Sequence, residues 1–339
     1  MDKALIERWL GDGERVSMLD EASISVARDA VRALGLGLGL SSETMGRLAL
    51  VVSELASNQL RHARDGAVAF ASIERDGVLG IEVTAADAGD GIQDAGAALD
   101  GGVATSTGLG IGLSSVQRLS DEVDFDVRLG LGTCIRARVF GASVRRRREV
   151  SILGRNCEGE RTSGDDATFA RTGDALVLAL ADGLGHGPEA RVAGVRAIEC
   201  VLAAPSAPPA ESLRLADLAL RDTRGAVMSV VVLDERAGTF SHAGVGNVVT
   251  KIALDGRTRS LTGSSFVIGA KASAPPRVQR DEGTLVAREL VVLYSDGLRS
   301  RLDVEVIREV ANRHPLVIAH RLLTSFGRDN DDATVIVAS

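Results

Sequence analysis

Residues 47–63 read RLALVVSELASNQLRHA, and this stretch predicts the helix around which the first half of the chain folds. Its apolar residues recur at helical spacing and form one face: Leu48, Val51, Val52, Leu55, Ala56 and Leu60. Glu54, Asn58 and His62 each lie one helical turn after the last, so they form a polar row beside that face. A carboxylate, an amide and an imidazole in one row suit a cleft that holds Mg²⁺ and phosphates. An ordinary amphipathic helix with a solvated polar side is the alternative.

Length and composition indicate the broad class of the protein. At 339 residues the chain is long for a single core, since about 150 residues per domain is usual, and two domains are expected. The net charge of −7 disfavours a nucleic-acid binder. No apolar run approaches the ~20 residues that span a bilayer, and the N-terminal stretch lacks the apolar core of a signal peptide. Cys134, Cys157 and Cys200 lack metal-ligand spacing. We therefore expect a cytoplasmic protein with reduced thiols that binds neither nucleic acid nor membrane.

Two alternating stretches beyond the opening helix predict a β-hairpin. They are residues 67–75 and 77–87, with a turn at Asp76-Gly77. The second strand ends at Asp87, and Gly89 and Gly91 follow. A carboxylate there suits a group that accepts a hydrogen bond from an adenine amino group, because the glycines let the backbone approach the base. A tight acidic turn would give the same pattern.

Further elements of the first half follow from periodicity and glycine content. Residues 21–34 predict a helix, and the loop LGLGLGLSS after it ends with Ser41 or Ser42 capping the next helix. The run GLGIGL at 108–113 opens another helix, where freed backbone N–H groups would bind an anion, although many helices begin this way. Residues 123–129 and 133–140 predict a second hairpin. Residues 141–150, GASVRRRREV, are expected to be a solvated linker, with contact to an acidic partner as the alternative.

The first half contains three motifs: Glu54-x-x-x-Asn58, Asp87-x-Gly89-x-Gly91 and Gly108-Leu-Gly110-Ile-Gly112. Their order and separations resemble those of the N, G1 and G2 boxes of the GHKL ATP-binding superfamily. The resemblance covers residues 15–140. The stretches ELASN, GLGIGL and GTCIRA are similar to those of the small serine kinases of bacterial sigma-factor switches. The resemblance implies a GHKL (Bergerat) α/β sandwich over residues 1–140.

The same resemblance assigns roles to single residues. Asn58 would hold Mg²⁺, Asp87 with Gly89 and Gly91 would bind the adenine of ATP, and Thr133 would lie near that adenine. Gly108, Gly110 and Gly112 would bind the phosphates. Glu54 would take the proton from a substrate serine. Phosphoryl transfer needs a base at the acceptor hydroxyl and a metal ion that neutralises the phosphates, and Glu54 lies one helical turn from Asn58. His62 could touch phosphate or be structural.

The second half repeats one pattern, an apolar strand next to an aspartate. The aspartates are Asp165, Asp182, Asp296 and Asp331. A single such residue is usually a turn residue, but four converging carboxylates would repel one another strongly. Hard divalent cations bound by carboxylate oxygens would remove that cost. Two such ions could activate a bridging water for displacement at phosphorus.

Residues 150–339 resemble the SpoIIE-type branch of the metal-dependent serine/threonine phosphatases (PPM family). The motifs of that branch occur here in the same order, as SGDDA, ALADGLGHGPEA, HAGVGN, LYSDGL and DNDDATVIV. The resemblance implies a PPM-type α-β-β-α sandwich over residues 151–339. Its metal ligands would be Asp165, Asp182, Asp296 and Asp331, with the carbonyl of Gly183. Whether Asp166 joins Asp165, and whether Asp332 replaces Asp331, stays open. His186 and His242 would be structural donors or acid catalysts.

Together these observations predict an α+β protein of two domains joined on one chain. The resemblance implies a bifunctional switch in a bacterial stressosome or sigma-factor pathway, using ATP, Mg²⁺ and Mn²⁺. The first domain would phosphorylate Ser or Thr on a STAS-domain partner, and the second would hydrolyse the phosphate. A sigma factor or a downstream phosphatase is a further expected partner. The alternatives are an ATP-binding module that sequesters a sigma factor without phosphate transfer, and an inert phosphatase fold that acts as a scaffold.

Overall fold

The computed structural model describes residues 3–11, 13–99, 109–254, 257–270, 278–299 and 304–339. The chain divides into two compact units, Met1–Glu149 (unit 1) and Val150–Ser339 (unit 2). Within the part that the structure describes, none of the helices combines the length and the apolar character that crossing a bilayer needs. Cys134, Cys157 and Cys200 are free thiols.

Unit 1 is an antiparallel sheet with helices packed on it. Its helices are α1 (Lys3–Leu10), α2 (Glu21–Gly37), α3 (Ser42–His62), α4 (Ala95–Leu99) and α5 (Leu109–Leu119). Its strands are β1 (Arg15–Ser17), β2 (Ala67–Arg75), β3 (Val78–Asp87), β4 (Glu122–Arg128) and β5 (Gly132–Phe140). The strand order is β1-β2-β3-β5-β4. Helix α3 packs against β2, β3 and β5, and also against α2 and α5.

Helix α3 is the element that residues 47–63 predict. Ser41 is its N-cap and accepts a hydrogen bond from the Thr44 N–H, as one of the two predicted caps. The predicted apolar face is buried except that Gln59, rather than Leu60, completes it. Gln59 is tolerated there because its Nε2 donates to the carbonyls of Ala67 (3.0 Å) and Ala86 (3.1 Å), which ties α3 to β2 and β3.

The hairpin β2–β3 has the predicted turn. Asp76 and Gly77 both have positive φ, 50° and 79°, which matches the twist of the two strands. The loop predicted after residue 34 is shorter than expected, because α2 continues to Gly37. Gly35 allows this extension, since a Cβ there would collide with the Met45 side chain of α3.

Residues 141–149 are part of unit 1, whereas the sequence predicts a solvated linker. The Arg147 N–H donates to Glu122 Oε1 (2.9 Å), and Arg75 Nη1 donates to the Arg145 carbonyl (3.1 Å). Arg148 is buried. The run of arginines packs here because β4 and the sheet beside it supply buried carboxylates that compensate positive charge, notably Glu122.

Unit 2 is built from two sheets and flanking helices. Its helices are α6 (Pro188–Ala203), α7 (Pro209–Ala219), α8 (Val304–Val310) and α9 (Pro315–Phe326). Its strands are β6 (Val150–Arg155), β7 (Asp165–Thr172), β8 (Ala175–Gly183), β9 (Ala226–Asp234), β10 (Thr239–Val245), β11 (Val249–Leu254), β12 (Arg257–Thr262), β13 (Gln279–Thr284), β14 (Leu290–Tyr294) and β15 (Ala333–Ala338).

The layers of unit 2 are helix, sheet, sheet and helix, as the sequence resemblance implies. One sheet has the order β6-β15-β14-β11-β12 and the other has the order β13-β10-β9-β8-β7. Apolar side chains of both sheets form a common core, among them Ile152, Leu178 and Ile336. Helices α6 and α7 pack on β8 to β10, and α9 packs on β6 and β15.

A glycine and a proline separate neighbouring elements of unit 2. Gly246 has a φ of 79° and ends β10 before Asn247, so β10 and β11 are separate strands. Pro315 begins α9 with His314 as its N-cap, so α8 and α9 are separate helices. Proline lacks the N–H that a continuous helix would need at that position.

Candidate active sites

One cavity of unit 1, which we call the ATP cavity, collects most of the residues predicted to bind ATP. Asn58 on α3, Asp87 at the end of β3, Gly89 and Gly91 after it, and Thr133 on β5 all line this cavity. Its apolar walls are Leu55, Ala85, Ile92, Leu113 and Ile135. A pocket with flat apolar walls and a few convergent polar groups suits a purine base.

Asp87 is the least exposed ionisable residue that lines this cavity. Its Oδ1 accepts a hydrogen bond from the Gly89 N–H (2.7 Å), and the backbone of Thr133, its cross-strand neighbour, supplies another. Burial raises the pKa of Asp87 to about 6, because desolvation outweighs these two hydrogen bonds. The carboxylate is therefore an acceptor held at the wall of the cavity and ionised at neutral pH.

Glu54 and Asn58 approach α5 from one side of α3. A Cβ on Gly112 would lie 3.0 Å from Glu54 Oε2 and 3.1 Å from Asn58 Oδ1, so only glycine fits there without displacing both side chains. Asn58 Nδ2 is buried and has no hydrogen-bond partner among the described residues. An orphaned amide beside a carboxylate and a glycine helix fits a nucleotide with its Mg²⁺.

The predicted glycine run is only partly visible. Gly112 and Gly110 lie in the first turn of α5. Gly108 lies outside the described residues.

Three more residues line the same cavity: His62, Gln59 and Asp90. His62 is exposed, and its pKa is lowered by partial burial and by Arg61. Gln59 was missed by the sequence prediction, although a polar residue at a helical position of the apolar face was the available signal.

An acidic cluster lies where strands of unit 2 end. Asp165 and Asp182 are cross-strand partners on β7 and β8. Ser295 Oγ donates to Asp165 Oδ2 (2.6 Å), and Asn247 Nδ2 donates to Asp296 Oδ2 (2.6 Å). Ser295 and Asn247 were not singled out from the sequence, although both stand inside the motif stretches LYSDGL and HAGVGN.

The carboxyls of this cluster interact strongly. Burial raises the pKa of Asp182, and the neighbouring carboxylates of Asp165, Asp296 and Asp331 raise it further. Burial also raises the pKa of Asp165, with Asp332 and Asp296 adding to the effect against the hydrogen bond from Ser295. The carboxyls of Asp182 and Asp296 share a hydrogen bond. Such a group holds protons unless cations replace them.

The sequence leaves open whether Asp331 or Asp332 is a metal ligand, and the two residues have different environments. Asp332 accepts hydrogen bonds from the N–H groups of Cys157 (2.7 Å) and Gly164 (2.7 Å), so it braces two loops. Asp331 is less buried, and burial followed by Asp296 raises its pKa. The field of His186 acts in the opposite direction on Asp331.

The side chains of Asp165 and Asp166 point to opposite faces of the sheet, as those of neighbouring residues on a strand do. Asp166 lies 3.9 Å from Arg191 Nη1 of α6, whereas Asp165 interacts with the other acids of the cluster. This places Asp165, rather than Asp166, among the acids.

Gly183 brings α6 against the cluster. A Cβ on Gly183 would collide with the Ala190 carbonyl oxygen, and the Gly183 N–H donates to the Gly164 carbonyl (3.1 Å). Its backbone therefore lies beside Asp182 with no side chain to block access.

The oxygen donors of the acidic cluster suit divalent cations, although they do not form a complete coordination shell. Among the described residues no group of three or more Asp, Glu, His or Cys side chains is placed to enclose an ion. Asp165 and Asp182 instead make hydrogen bonds with Ser295 and Asp296. Oxygen donors that are buried, mutually repelling and close in the fold are the set that Mg²⁺ or Mn²⁺ prefers.

His242 lies away from the acidic cluster, in a buried network. Its Nε2 is 3.1 Å from Ser229 Oγ, and its Nδ1 is 3.2 Å from Asp281 Oδ2. Ser229 is fully buried and also contacts Thr250 (2.8 Å). This arrangement joins β9, β10, β11 and β13, which is a structural role.

Comparisons with known proteins match the two units of the chain to two different families. A family model described as a histidine kinase-like ATPase domain matches residues 18–139, and one described as stage II sporulation protein E (SpoIIE) matches residues 172–339. Over 128 residues the chain is 34% identical to the serine/threonine-protein kinase RsbT of Bacillus subtilis (strain 168), covering 38% of this chain and 96% of that protein. The chain belongs to the histidine kinase-like ATPase family and carries a SpoIIE-family domain.

Solved structures resemble the chain over slightly more than half its length. One, from work on "the bacterial stressosome: a modular system that has been adapted to control secondary messenger signaling", is 28% identical, with a TM-score of 0.53 over 57% of this chain and 100% of that chain. RsbX in complex with magnesium is 19% identical, with a TM-score of 0.46 over 58% of this chain and 96% of that chain.

Unit 1 is therefore called the ATPase domain and unit 2 the SpoIIE domain. The first family includes a serine/threonine kinase, and the second is that of serine/threonine phosphatases. The chain thus combines both types of enzyme domain, whose families use a nucleotide and divalent metals.

Proposed function

We propose that this protein is a bifunctional switch of a bacterial partner-switching pathway. The ATPase domain transfers phosphate from ATP to a serine or threonine of a STAS-domain partner, and the SpoIIE domain hydrolyses phosphoserine or phosphothreonine. Support comes from the similarity to RsbT and to a stressosome-related structure. Joining both domains on one chain raises the effective concentration of each at a shared partner.

In the ATPase domain, Asp87 accepts a hydrogen bond from the adenine amino group, with Gly89, Gly91 and Thr133 beside the base. Asn58 holds Mg²⁺, which neutralises phosphate charge when bound, and the helix start with Gly110 and Gly112 contributes backbone N–H groups. Gly108 belongs to the same proposal. Glu54 accepts the proton of the attacking hydroxyl, one helical turn from Asn58.

In the SpoIIE domain, Asp165, Asp182, Asp296 and Asp331, with the Gly183 carbonyl, hold the cations. When bound, Mg²⁺ or Mn²⁺ would lower the pKa of a coordinated water, so that the water could lose a proton and become a nucleophile, and would neutralise negative charge on the phosphate. Ser295 and Asn247 orient two of the carboxylates through their hydrogen bonds.

The convergence of Glu54 and Asn58 on Gly112 is the observation that carries the kinase proposal. Its test is transfer of radiolabel from ATP to a STAS-domain protein. Glu54→Gln should lose transfer while retaining ATP binding. Glu43→Gln, an exposed change in the first turn of the same helix, is the matched control and should behave as wild type. Absence of transfer by wild type to every STAS-domain protein tried contradicts the proposal.

The phosphatase half is tested with a phosphoserine substrate and Mn²⁺. Asp182→Asn should abolish hydrolysis, because it removes one carboxylate from the centre of the cluster. Asp222→Asn changes an exposed carboxylate that is paired with Arg196 in the same domain, and should leave the rate unchanged. Hydrolysis that persists in excess chelator would contradict a metal-dependent site.

A second candidate makes the ATPase domain a binding module that holds ATP and sequesters a sigma factor without transferring phosphate. The ATP cavity alone would serve this function, since Asp87 and Asn58 line it irrespective of transfer. Glu54 separates the two candidates, because a binder needs no base beside Asn58. Tight binding of a sigma factor, with no label transfer to any partner and no effect of Glu54→Gln, would favour the module. A cytoplasmic location is part of both proposals.

A further inference from the structure

The SpoIIE domain has a cavity of its own, which we call the second cavity to distinguish it from the ATP cavity of the ATPase domain. It lies at the ends of β11 and β14 that point away from the acidic cluster. Leu254, the last residue of β11, and Leu290, the first residue of β14, line it. Asn247 and Asp296 lie at the opposite ends of these two strands. Because a strand rises ~3.3 Å per residue, the six steps from Leu290 to Asp296 span about 20 Å. The second cavity is therefore separate from the acidic cluster.

Three arginines line this second cavity. Arg257 begins β12, Arg288 precedes β14, and Arg308 belongs to α8. All three are exposed, and none makes an ion pair or a hydrogen bond with any residue that the structure describes. Other arginines of the domain are paired with carboxylates, as Arg171 is with Glu235. None of the described lining residues has an acidic side chain, and one carboxylate, the terminal group of Ser339, belongs to the lining.

The rest of the lining is apolar except for Asn312 and Ser339. Leu290 and Ile307 are buried, and Asn312 adds a side chain that both donates and accepts hydrogen bonds. Three guanidinium groups and one carboxylate leave this concave site with a net positive charge, which favours the binding of an anion although the chain as a whole has a net charge of −7.

We propose that this second cavity binds a small phosphorylated molecule of the nucleotide type. Guanidinium groups match phosphate oxygens with paired N–H donors, so Arg257, Arg288 and Arg308 contact the phosphates. The apolar floor receives the planar body of the ligand, and Asn312 reads its polar edge. This site differs from the ATP cavity of the ATPase domain and requires no metal.

The ligand would also couple to the acidic cluster. It contacts β11 and β14 at one end, and the hydrogen bond from Asn247 to Asp296 joins their other ends. Ordering these two strands restricts the motion of two residues placed at the catalytic cluster.

The test is hydrogen exchange of the full chain in metal-free buffer, with ADP, inorganic pyrophosphate and phosphoserine as separate probes. ADP should slow exchange at the cavity ends of β11 and β14, and pyrophosphate should do so more weakly. Arg288→Gln and Arg308→Gln should each reduce the apparent affinity at this cavity at least about fivefold, since each removes a charge-assisted contact. Arg280→Gln, an exposed arginine on β13 outside the cavity, should change nothing.

Slow exchange of the central strands β8 and β9 without ligand should be the same in all variants and reports intact folding of the SpoIIE domain. No protection at the second cavity, or equal protection in the two arginine variants and wild type, overturns the proposal. Equal affinity for pyrophosphate and ADP supports the phosphate contacts and overturns the role of the apolar floor. Protection by phosphoserine but not by ADP overturns a nucleotide-type ligand.

Discussion

Asp165 and Asp182 face each other as cross-strand partners on β7 and β8, and each lies in the field of Asp296. Placing carboxylates opposite one another on a sheet is destabilising unless something compensates. Here protons and hydrogen bonds compensate in the absence of metal, and divalent cations do so in the proposed active state. The stability of the SpoIIE domain should therefore depend on pH and on metal together.

The first prediction concerns metal-free stability. The folded pKa values of Asp165 and Asp182 lie above the ordinary value of 3.8, so the folded state binds more protons than the unfolded state above that pH. The stabilisation is complete below the ordinary value and is lost as pH rises through the raised values. The melting temperature in chelator should fall from about pH 4 to about pH 9, because burial and neighbouring carboxylates raise the pKa of Asp165 to about 7 and that of Asp182 to about 9, and Mn²⁺ should remove most of that slope. Asp182→Asn should melt higher than wild type in chelator at about pH 8 and respond less to Mn²⁺. A flat profile for wild type would contradict coupling within the cluster.

The second prediction concerns nucleotide affinity. Burial raises the pKa of Asp87 to about 6, and in the proposed function its ionised form accepts the hydrogen bond from adenine. ATP affinity should be constant above that pH and fall below it by up to about tenfold per pH unit, as the carboxylate is protonated. Isothermal titration measures this directly. Asp87→Asn should bind more weakly with little pH dependence, whereas an identical pH profile in the variant would exclude Asp87 as the acceptor.

The third prediction compares two glycines on helices of the ATPase domain. Gly112→Ala places a Cβ near Glu54 and Asn58, so it should reduce phosphate transfer at least about tenfold with little loss of stability. Gly46→Ala lies in open space on α3 and should preserve activity and add about 0.5–1 kcal/mol of stability. Transfer rates and thermal melts of both variants provide the comparison. Full activity of Gly112→Ala would show that this approach is not part of the site.

The fourth prediction concerns the packing of α6 in the SpoIIE domain. Gly183→Ala would collide with the Ala190 backbone, which cannot rotate away as a side chain could. We expect a loss of about 3 kcal/mol or more in unfolding free energy, together with weaker Mn²⁺ binding. Chemical denaturation followed by circular dichroism measures it. A variant as stable as wild type would mean that α6 does not approach β8 this closely.

How far the sequence predicts the structure depends on whether the signal is local. Helix α3, its Ser41 cap and the Asp76-Gly77 turn follow from spacing and turn chemistry, and the structure confirms them. The gathering of Asp165 and Asp182 also follows, because each stands at the end of an apolar strand.

Other features depend on contacts between distant segments. The sequence does not reveal that Ser295 holds Asp165 or that Gln59 bridges two strands, since hydroxyl and amide partners have no fixed spacing. The arginine run at 145–148 resembles a solvated linker until the buried Glu122 is known to lie beside it.

The most direct measurement incubates a STAS-domain partner with ATP, Mg²⁺, Mn²⁺ and this protein, and follows the mass of the partner with time. With wild type, phosphate should appear and then disappear as ATP is consumed. With Asp182→Asn it should accumulate and remain, and with Glu54→Gln it should not appear. Phosphate added equally well by Glu54→Gln, or removed equally fast by Asp182→Asn, would contradict the bifunctional account.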